Sequence, residues 1–327
     1  MHAHKPLVYV SRLLPEPVMA AIRDRYELVR EPTDSQAAEA HVREGLMQAD
    51  AAIVTLSDRI DADAIHHTTR LKILANYAVG YNNIDVAAAN RRGLIVTNTP
   101  DVLTDATADL TWALILATAR RIVEGDQLVR SGRWGGWAPT QLLGAAVAEK
   151  TLGIVGMGRI GQAVARRASG FRMKILSHAR RPVTSAPESA AWESATLPDL
   201  LAQSDFVTLH VPLTSETTHL IGTAELSRMK RTAVLINTAR GPIVDEAALV
   251  KALHEGLIAG AGLDVYEHEP AVHPELPAMK QVVLLPHLGS ATMSARLQMG
   301  MICIRNVDEV LAGRPAPNRV GVPAQVA

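Results

Sequence analysis

The run Leu152-Gly-Ile-Val-Gly-Met-Gly-Arg-Ile-Gly-Gln162 constrains the fold of this chain more than any other stretch. Its apolar start reads as a buried strand, and Gly156, Gly158 and Gly161 follow at G-x-G-x-x-G spacing. At that spacing the first glycine makes a sharp turn, the second lets backbone approach a pyrophosphate, and the third lets a helix pack closely on the strand. Ala163, Val164 and Ala165 continue on a helical period, and the N-terminus of such a helix suits an anion. Met157, Arg159 and Ile160, set between the glycines, are expected at the same dinucleotide. Glycine-rich turns also occur far from nucleotides, so the surrounding pattern decides the reading.

That pattern is an alternation of short apolar runs with longer amphipathic ones. Residues 7–10, 51–54, 73–76 and 94–96 read as buried strands, with helical stretches such as 16–25 and 35–48 between them. A long apolar helix over 106–122 follows, and then Trp134-Gly-Gly-Trp137-Ala-Pro139 breaks the helical period. After the glycine motif a second series of strands is expected at 173–177, 205–208, 233–236, 260–263 and 282–285, and a last helix over 292–311. Strand–helix alternation of this kind predicts parallel sheets covered by helices on both faces. The proline-rich stretch 315–323 is expected to be extended on the surface.

Composition narrows the partners. In 327 residues, 48% are hydrophobic and the formal net charge is zero, so no basic surface advertises nucleic acid or an anionic membrane. No apolar run reaches the roughly 18–20 residues needed to span a bilayer, and the N-terminus starts no signal-peptide core. The single Cys303 lies in an apolar run, reads as a buried small hydrophobe, and fits a reducing, cytoplasmic compartment. His2 and His4 read as a polar end, and no metal site is expected.

Dinucleotide folds place an acid about twenty residues past the glycine turn, where it binds the ribose 2′-hydroxyl of NAD. Here the strand 173–177 runs into His178-Ala179-Arg180-Arg181, with alanine where the acid belongs and two guanidiniums after it. Arginine forks hold a 2′-phosphate that an aspartate would repel, so the expected cofactor is NADPH rather than NADH. The plainer reading is a pair of solvated arginines. Farther on, Asn237-Thr238-Ala239-Arg240-Gly241, Asp264-Val-Tyr-Glu-His-Glu269-Pro270 and Pro286-His287-Leu-Gly289 follow three successive expected strands. Three strand ends thus offer an arginine for a carboxylate, acids, and a histidine near neutral pKa.

Taken in order, Asn237…Arg240-Gly241…Val244-Asp245-Glu246, Asp264-Val265…Glu269-Pro270 and Pro286-His287…Gly289 resemble the signatures of the D-isomer-specific 2-hydroxyacid dehydrogenases. Asn76-Tyr-Ala-Val79-Gly80 through Asp85, and Val96-Thr-Asn98-Thr-Pro100, resemble the same family's N-terminal segment. The likeness covers nearly the whole chain and is greatest to the glyoxylate/hydroxypyruvate reductase branch. It implies two doubly wound α/β domains: a discontinuous, flavodoxin-like substrate domain (1–103 plus 287–327) and a Rossmann cofactor domain (104–286), with a cleft between them.

The resemblance also implies roles. His287 would be the general acid, Glu269 its partner, and Arg240 the carboxylate ligand, which suits reduction of a 2-oxo acid because the new alkoxide must be protonated. Val79 and Gly80 would add backbone N–H groups to the substrate carboxylate, with Leu56 and Ser57 lining the pocket. Thr107, Asp264, Gly289, Thr238 and Ala239, and His210-Val211-Pro212 at another strand end, would meet the cofactor. Glu267 and His268 read as decoys, since the family glutamate directly precedes the proline. A homodimer through the cofactor domain is implied, which the Trp134–Pro139 excursion would suit. Two other readings stay open: reduction of a larger 2-oxo acid such as a sugar acid or aryl pyruvate, and an NADH-sensing corepressor, which the Ala179–Arg181 pattern disfavours.

Overall fold

The computed structural model describes residues 5–180 and 192–321; His2, His4 and Arg181 lie outside them. The chain divides into two compact units, Met1–Leu103 with Ala291–Ala327, and Thr104–Ser290. The second crossing therefore falls a few residues beyond 286, and His287 and Gly289 belong to the unit that carries the glycine motif. A backbone bond explains this, because the His287 N–H donates to the Asp264 carbonyl at 2.9 Å.

In the first unit, β1 (Leu7–Val10), β2 (Glu27–Leu28), β3 (Ala51–Val54), β4 (Ile73–Asn76) and β5 (Ile95–Thr97) form one sheet. Its order is β2-β1-β3-β4-β5, every pair parallel. That is the flavodoxin-like doubly wound order. Helices α1 (Glu16–Arg25), α2 (Glu39–Gln48), α3 (Ala62–His66) and α4 (Val86–Arg91) make the connections. Parallel strands are covered on both faces, which is why β3 and β4 are apolar without alternation and buried throughout. Part of the tail joins the sheet: Val320 N–H donates to the Val96 carbonyl at 2.9 Å and Arg319 bridges Thr97 antiparallel, extending the sheet past β5.

The second unit begins with α5 (Thr104–Ala119) and α6 (Ile122–Arg130). One helix over 106–122 was expected there, but Arg121 takes φ +53° and turns the chain between two helices. A non-glycine residue in the left-handed region carries little sequence signal. Then come β6 (Thr151–Val155), α7 (Arg159–Ala168), β7 (Lys174–His178), β8 (Glu193–Ser194), α8 (Leu197–Gln203), β9 (Phe206–Leu209), α9 (Thr223–Arg228), β10 (Val234–Asn237), α10 (Glu246–His254), β11 (Gly260–Leu263) and β12 (Val282–Leu284). The sheet order is β12-β11-β10-β9-β6-β7-β8, all parallel. The order reverses between β6 and β9, the switch point where ligands of open α/β sheets bind. The glycine motif sits at that point, directly after β6.

The core beneath it joins α5 to α7: Trp112 stacks on Phe171 with centroids 4.6 Å apart and donates its indole N–H to the Val164 carbonyl at 3.1 Å. Helix α11 (Met293–Leu311) belongs to the first unit, where it packs on β3 and β4 and buries Cys303. The two-residue edge strands β2 and β8 were not expected, since Glu-Leu and Glu-Ser are too short to show a period. Among the described residues no helix is long and apolar enough to cross a membrane.

Candidate active site

The glycine turn is built by close approach. A Cβ on Gly156, whose φ is +101°, would lie 2.6 Å from the His210 carbonyl, and one on Gly161 would collide with the Gly156 carbonyl. A Cβ on Gly158 would meet nothing within 4 Å, so the backbone there faces open space. Gly158 caps α7 without a side-chain bond, and the start of such a helix suits an anion. Arg159 is exposed and Ile160 half-buried beside it. Met157 differs from expectation in its side chain, which is buried in the core and leaves only its backbone for a ligand.

At the end of β7, Ala179 packs on the apolar core and offers no carboxylate. His178 is fixed through Nδ1, 3.1 Å from the Ala195 carbonyl. Arg180 donates to Glu216 at 2.8 Å, an exposed ion pair that is weak in water and readily exchanged for another anion.

Past β10, Asn237 shapes the next loop with both ends of its amide. Its Oδ1 accepts from the Ala239 N–H at 3.0 Å, and its Nδ2 donates to the Arg240 carbonyl at 2.9 Å. Thr238 is buried, with its hydroxyl 2.9 Å from that of Thr111. Gly241 has no room for a side chain, because a Cβ would collide with the Tyr266 carbonyl. This contact seats the arginine loop on the segment that leads to Glu269. The Arg240 guanidinium donates to the Ala239 carbonyl at 2.7 Å; burial pulls its pKa down, while the Glu269 charge opposes that.

The loop after β12 is held by Asp264 from the end of β11. One carboxylate oxygen accepts from the Leu288 N–H at 2.6 Å and the other from the Gly289 N–H at 2.8 Å. From the opposite side the Thr107 hydroxyl donates to the Gly289 carbonyl at 2.9 Å. Burial pushes the Asp264 pKa up, with the two N–H donors opposing. Between these anchors His287 adopts φ +55°, a left-handed conformation unusual for histidine and typical of functional sites.

His287 Nδ1 lies 2.9 Å from Glu269 Oε2, and Glu269 Oε1 accepts the Tyr266 N–H at 3.1 Å. Burial would raise the Glu269 pKa, but the His287 hydrogen bond and charge, the Tyr266 N–H and the Arg240 charge together hold it below the usual carboxylate range. Glu269 thus stays ionised on acidification longer than an ordinary glutamate. With Nδ1 turned to Glu269, the ring nitrogen left for a substrate is Nε2.

In the first unit, three asparagines hold the loop that carries Val79 and Gly80. Asn98 donates to the Val79 carbonyl and Asn76 to the Gly80 carbonyl, each at 2.8 Å, while Asn83 donates to Asn76 Oδ1 at 3.3 Å. The Val79 and Gly80 N–H groups have no partner among the described residues. Successive free N–H groups are the makings of an anion site. Leu56 and Ser57 are half-buried after β3, where Gln36 donates to the Ser57 carbonyl at 3.0 Å.

The roles of Asn237, Gly241 and Thr111 were not read from the sequence. Asparagine followed two residues on by a turn is a local signal for side-chain-to-backbone bonding, and it was present at 237. Nothing local marks Thr111.

Residues 112–289 match the family model described as D-isomer specific 2-hydroxyacid dehydrogenase, NAD binding domain. A glyoxylate reductase from Thermococcus gammatolerans is 49% identical over 97% of this chain and 96% of its own length. A protein from Thermus thermophilus superposes with a TM-score of 0.90 at 44% identity, covering 96% of this chain and all of the other. An NADPH-dependent glyoxylate/hydroxypyruvate reductase from Sinorhizobium meliloti, solved with NADP and malonate, superposes with a TM-score of 0.86 at 34% identity, covering 97% of both chains.

His210 supplies a test of the cofactor side of this architecture. Its Nε2 lies 2.9 Å from the Thr208 hydroxyl, and burial pushes its pKa down to about 3. Between that value and the ordinary histidine pKa near 6.5, the unfolded chain binds the extra proton. This residue's contribution to stability is therefore complete above about pH 6.5 and is lost on acidification. NMR of the ring protons is expected to show no titration of His210 between about pH 5 and 8; a midpoint in that window would mean the ring is charged and solvated.

Proposed function

The chain belongs to the D-isomer specific 2-hydroxyacid dehydrogenase family, and from that premise we propose that it is an NADPH-dependent reductase of small 2-oxo acids, glyoxylate and hydroxypyruvate, yielding the D-2-hydroxy acid. The observation that carries the reading is the His287–Glu269 pair beside Arg240, drawn from three adjacent strand ends. The Thermococcus relative named a glyoxylate reductase and the Sinorhizobium neighbour named an NADPH-dependent glyoxylate/hydroxypyruvate reductase support the substrate class. They favour it over a larger 2-oxo acid, and over a corepressor.

The residues present fit a dinucleotide. The open face at Gly158, the uncapped start of α7 and the close packing at Gly156 and Gly161 suit a pyrophosphate. At the ribose end, Ala179 removes the acid that would repel a 2′-phosphate, and Arg180, whose ion pair with Glu216 is exposed, suits one. Thr107, Asp264, Gly289, Thr238, Ala239 and the segment His210-Val211-Pro212 line the same end of the sheet. Arg181 would add a second guanidinium. When bound, the reduced nicotinamide supplies a hydride to the substrate's carbonyl carbon.

The chain's own groups do the rest. Arg240 binds the 2-oxo acid's carboxylate and stabilises charge growing on the carbonyl oxygen. His287 Nε2 delivers a proton to that oxygen as the carbon accepts hydride, so the alkoxide leaves as an alcohol. Glu269 fixes the ring by Nδ1 and balances the imidazolium. Within the first unit taken by itself, the Val79 and Gly80 N–H groups suit a carboxylate. The buried thiol Cys303, its pKa pushed up by burial, suits a reducing cytoplasm.

We further propose that the enzyme is a homodimer through the unit bearing α6. That helix and the segment after it expose Ile122, Val129, Trp134, Trp137 and Leu143, with Trp137 83% exposed. A groove of about 430 Å³ lined by Val123, Leu143, Met279 and Val282 opens beside them. Several exposed apolar side chains on one helix and the segment after it suit an interface.

Purified enzyme assayed with glyoxylate, hydroxypyruvate and larger 2-oxo acids is expected to give a higher kcat/KM with NADPH than with NADH, and with the two small acids than with the others. Equal values for the two cofactors would remove the Ala179–Arg180 argument, and absence of reduction would remove the function. In the same assay His287→Asn is expected to lower kcat by roughly 100-fold or more. Sedimentation should report a dimer that Trp137→Glu with Val129→Glu dissociates; a parent monomer would refute the interface.

A further inference from the structure

A second histidine–carboxylate pair lies just behind the first. His219 Nε2 is 2.6 Å from Glu267 Oε1, and Glu267 is two residues from Glu269. The other oxygen, Oε2, accepts the Glu246 N–H at 3.3 Å, and Glu246 Oε1 in return accepts the Glu267 N–H at 2.6 Å. Glu267 is only 18% exposed in its side chain, so these bonds are partly shielded from water.

His219 is itself set with care. Its φ is +51°, and its N–H donates to the Pro242 carbonyl at 2.8 Å. Ile221 N–H then donates to the Ile243 carbonyl and Asp245 N–H to the Ile221 carbonyl, each at 3.1 Å. The 219–221 segment is therefore laced to the residues immediately after Arg240. Its imidazole reaches across to the segment that ends in Glu269, while Tyr266, next to Glu267, donates its N–H to Glu269. The charged groups around this network are Glu246 and Glu267 on its own side, and Arg240, Asp264, Glu269 and His287 on the other.

From this geometry we propose that His219 and Glu267 are positioning residues for the reduction. They clamp the Arg240 loop to the Glu269 loop, and through Glu269 they set where the His287 ring points. The proposal rests on the reading of Arg240, Glu269 and His287 given above. Glu267 remains apart from the catalytic pair, as the motif spacing implies, and acts by holding the loop without touching substrate. The physical case is that proton transfer tolerates little misplacement, and about 1 Å can cost on the order of 100-fold in rate.

The test uses the full-length enzyme with NADPH and glyoxylate. Glu267→Ala is expected to lower kcat between about 10- and 100-fold, with KM for the 2-oxo acid changed much less. His219→Ala should give a smaller loss, and His219→Gln, which keeps a donor, should recover most of it. In the double variant the losses should be less than additive. NADPH binding, followed by fluorescence, should match the parent, because the glycine turn is held by other contacts. Parental kcat in a folded Glu267→Ala or His219→Ala would overturn the proposal, as would additive losses or a fall in NADPH affinity parallel to kcat. If Glu267→Ala fails to fold, the His219→Ala and His219→Gln pair decides. A parent that reduces no 2-oxo acid fails the underlying reading instead, and is told apart by the parent assay alone.

Discussion

Asp264 is where the arrangement of the site is decided. Burying a carboxylate is costly unless its oxygens are hydrogen-bonded, and here each oxygen accepts one backbone N–H from the loop that carries His287. The same residue's carbonyl accepts the His287 N–H. Three bonds from one residue thus define a loop that must hold a histidine in the left-handed region. That conformation costs energy for a residue with a Cβ, and it persists only where surrounding structure fixes it. Thr107 completes the anchor at the Gly289 carbonyl.

The other strand-end loops follow the same logic. Asn237 bonds the backbone on both sides of its turn, Asn76 and Asn98 hold the two carbonyls of the Val79–Gly80 loop, and Gly241 is small so that two loops can touch. Each of these side chains satisfies backbone groups that a loop would otherwise leave to water. The result, within the second unit, is that the loops carrying Arg240 and His287 are fixed by bonds to their own backbone. Preorganised donors lose little on reaction, which is the condition for electrostatic stabilisation of a developing charge.

Much of this frame was legible in the sequence. The apolar runs at 51–54 and 73–76 stand out because both faces of a parallel strand are buried, and the glycine spacing at 156–161 declares its turn. Arg240 and His287 each follow such a run closely, whereas Glu269 was singled out from the neighbouring acids by its resemblance to the family glutamate that precedes a proline. What stayed hidden has physical causes. β2 and β8 are two residues long and show no period; the break at Arg121 rests on a left-handed residue without glycine. Met157 turned inward because a turn position next to a strand still borders the core. Glu267 was set aside on motif spacing, although spacing alone cannot say which backbone a side chain will hold.

Topology explains why three residues so far apart in sequence form one chemical unit. β10, β11 and β12 are neighbours in a sheet, and all run the same way, so their carboxyl ends lie together at a spacing of about 5 Å per strand. One antiparallel strand in that set would send its loop to the opposite edge. Proximity then makes the charges interdependent. Burial alone would disfavour charge on both Arg240 and Glu269, yet each favours ionisation of the other, and His287 adds to the effect on Glu269. Arg240 is half-buried, so the ionised glutamate beside it offsets part of the desolvation of the guanidinium. His287, Glu269 and Arg240 are therefore one electrostatic set, and each depends on the loops that keep the other two within reach.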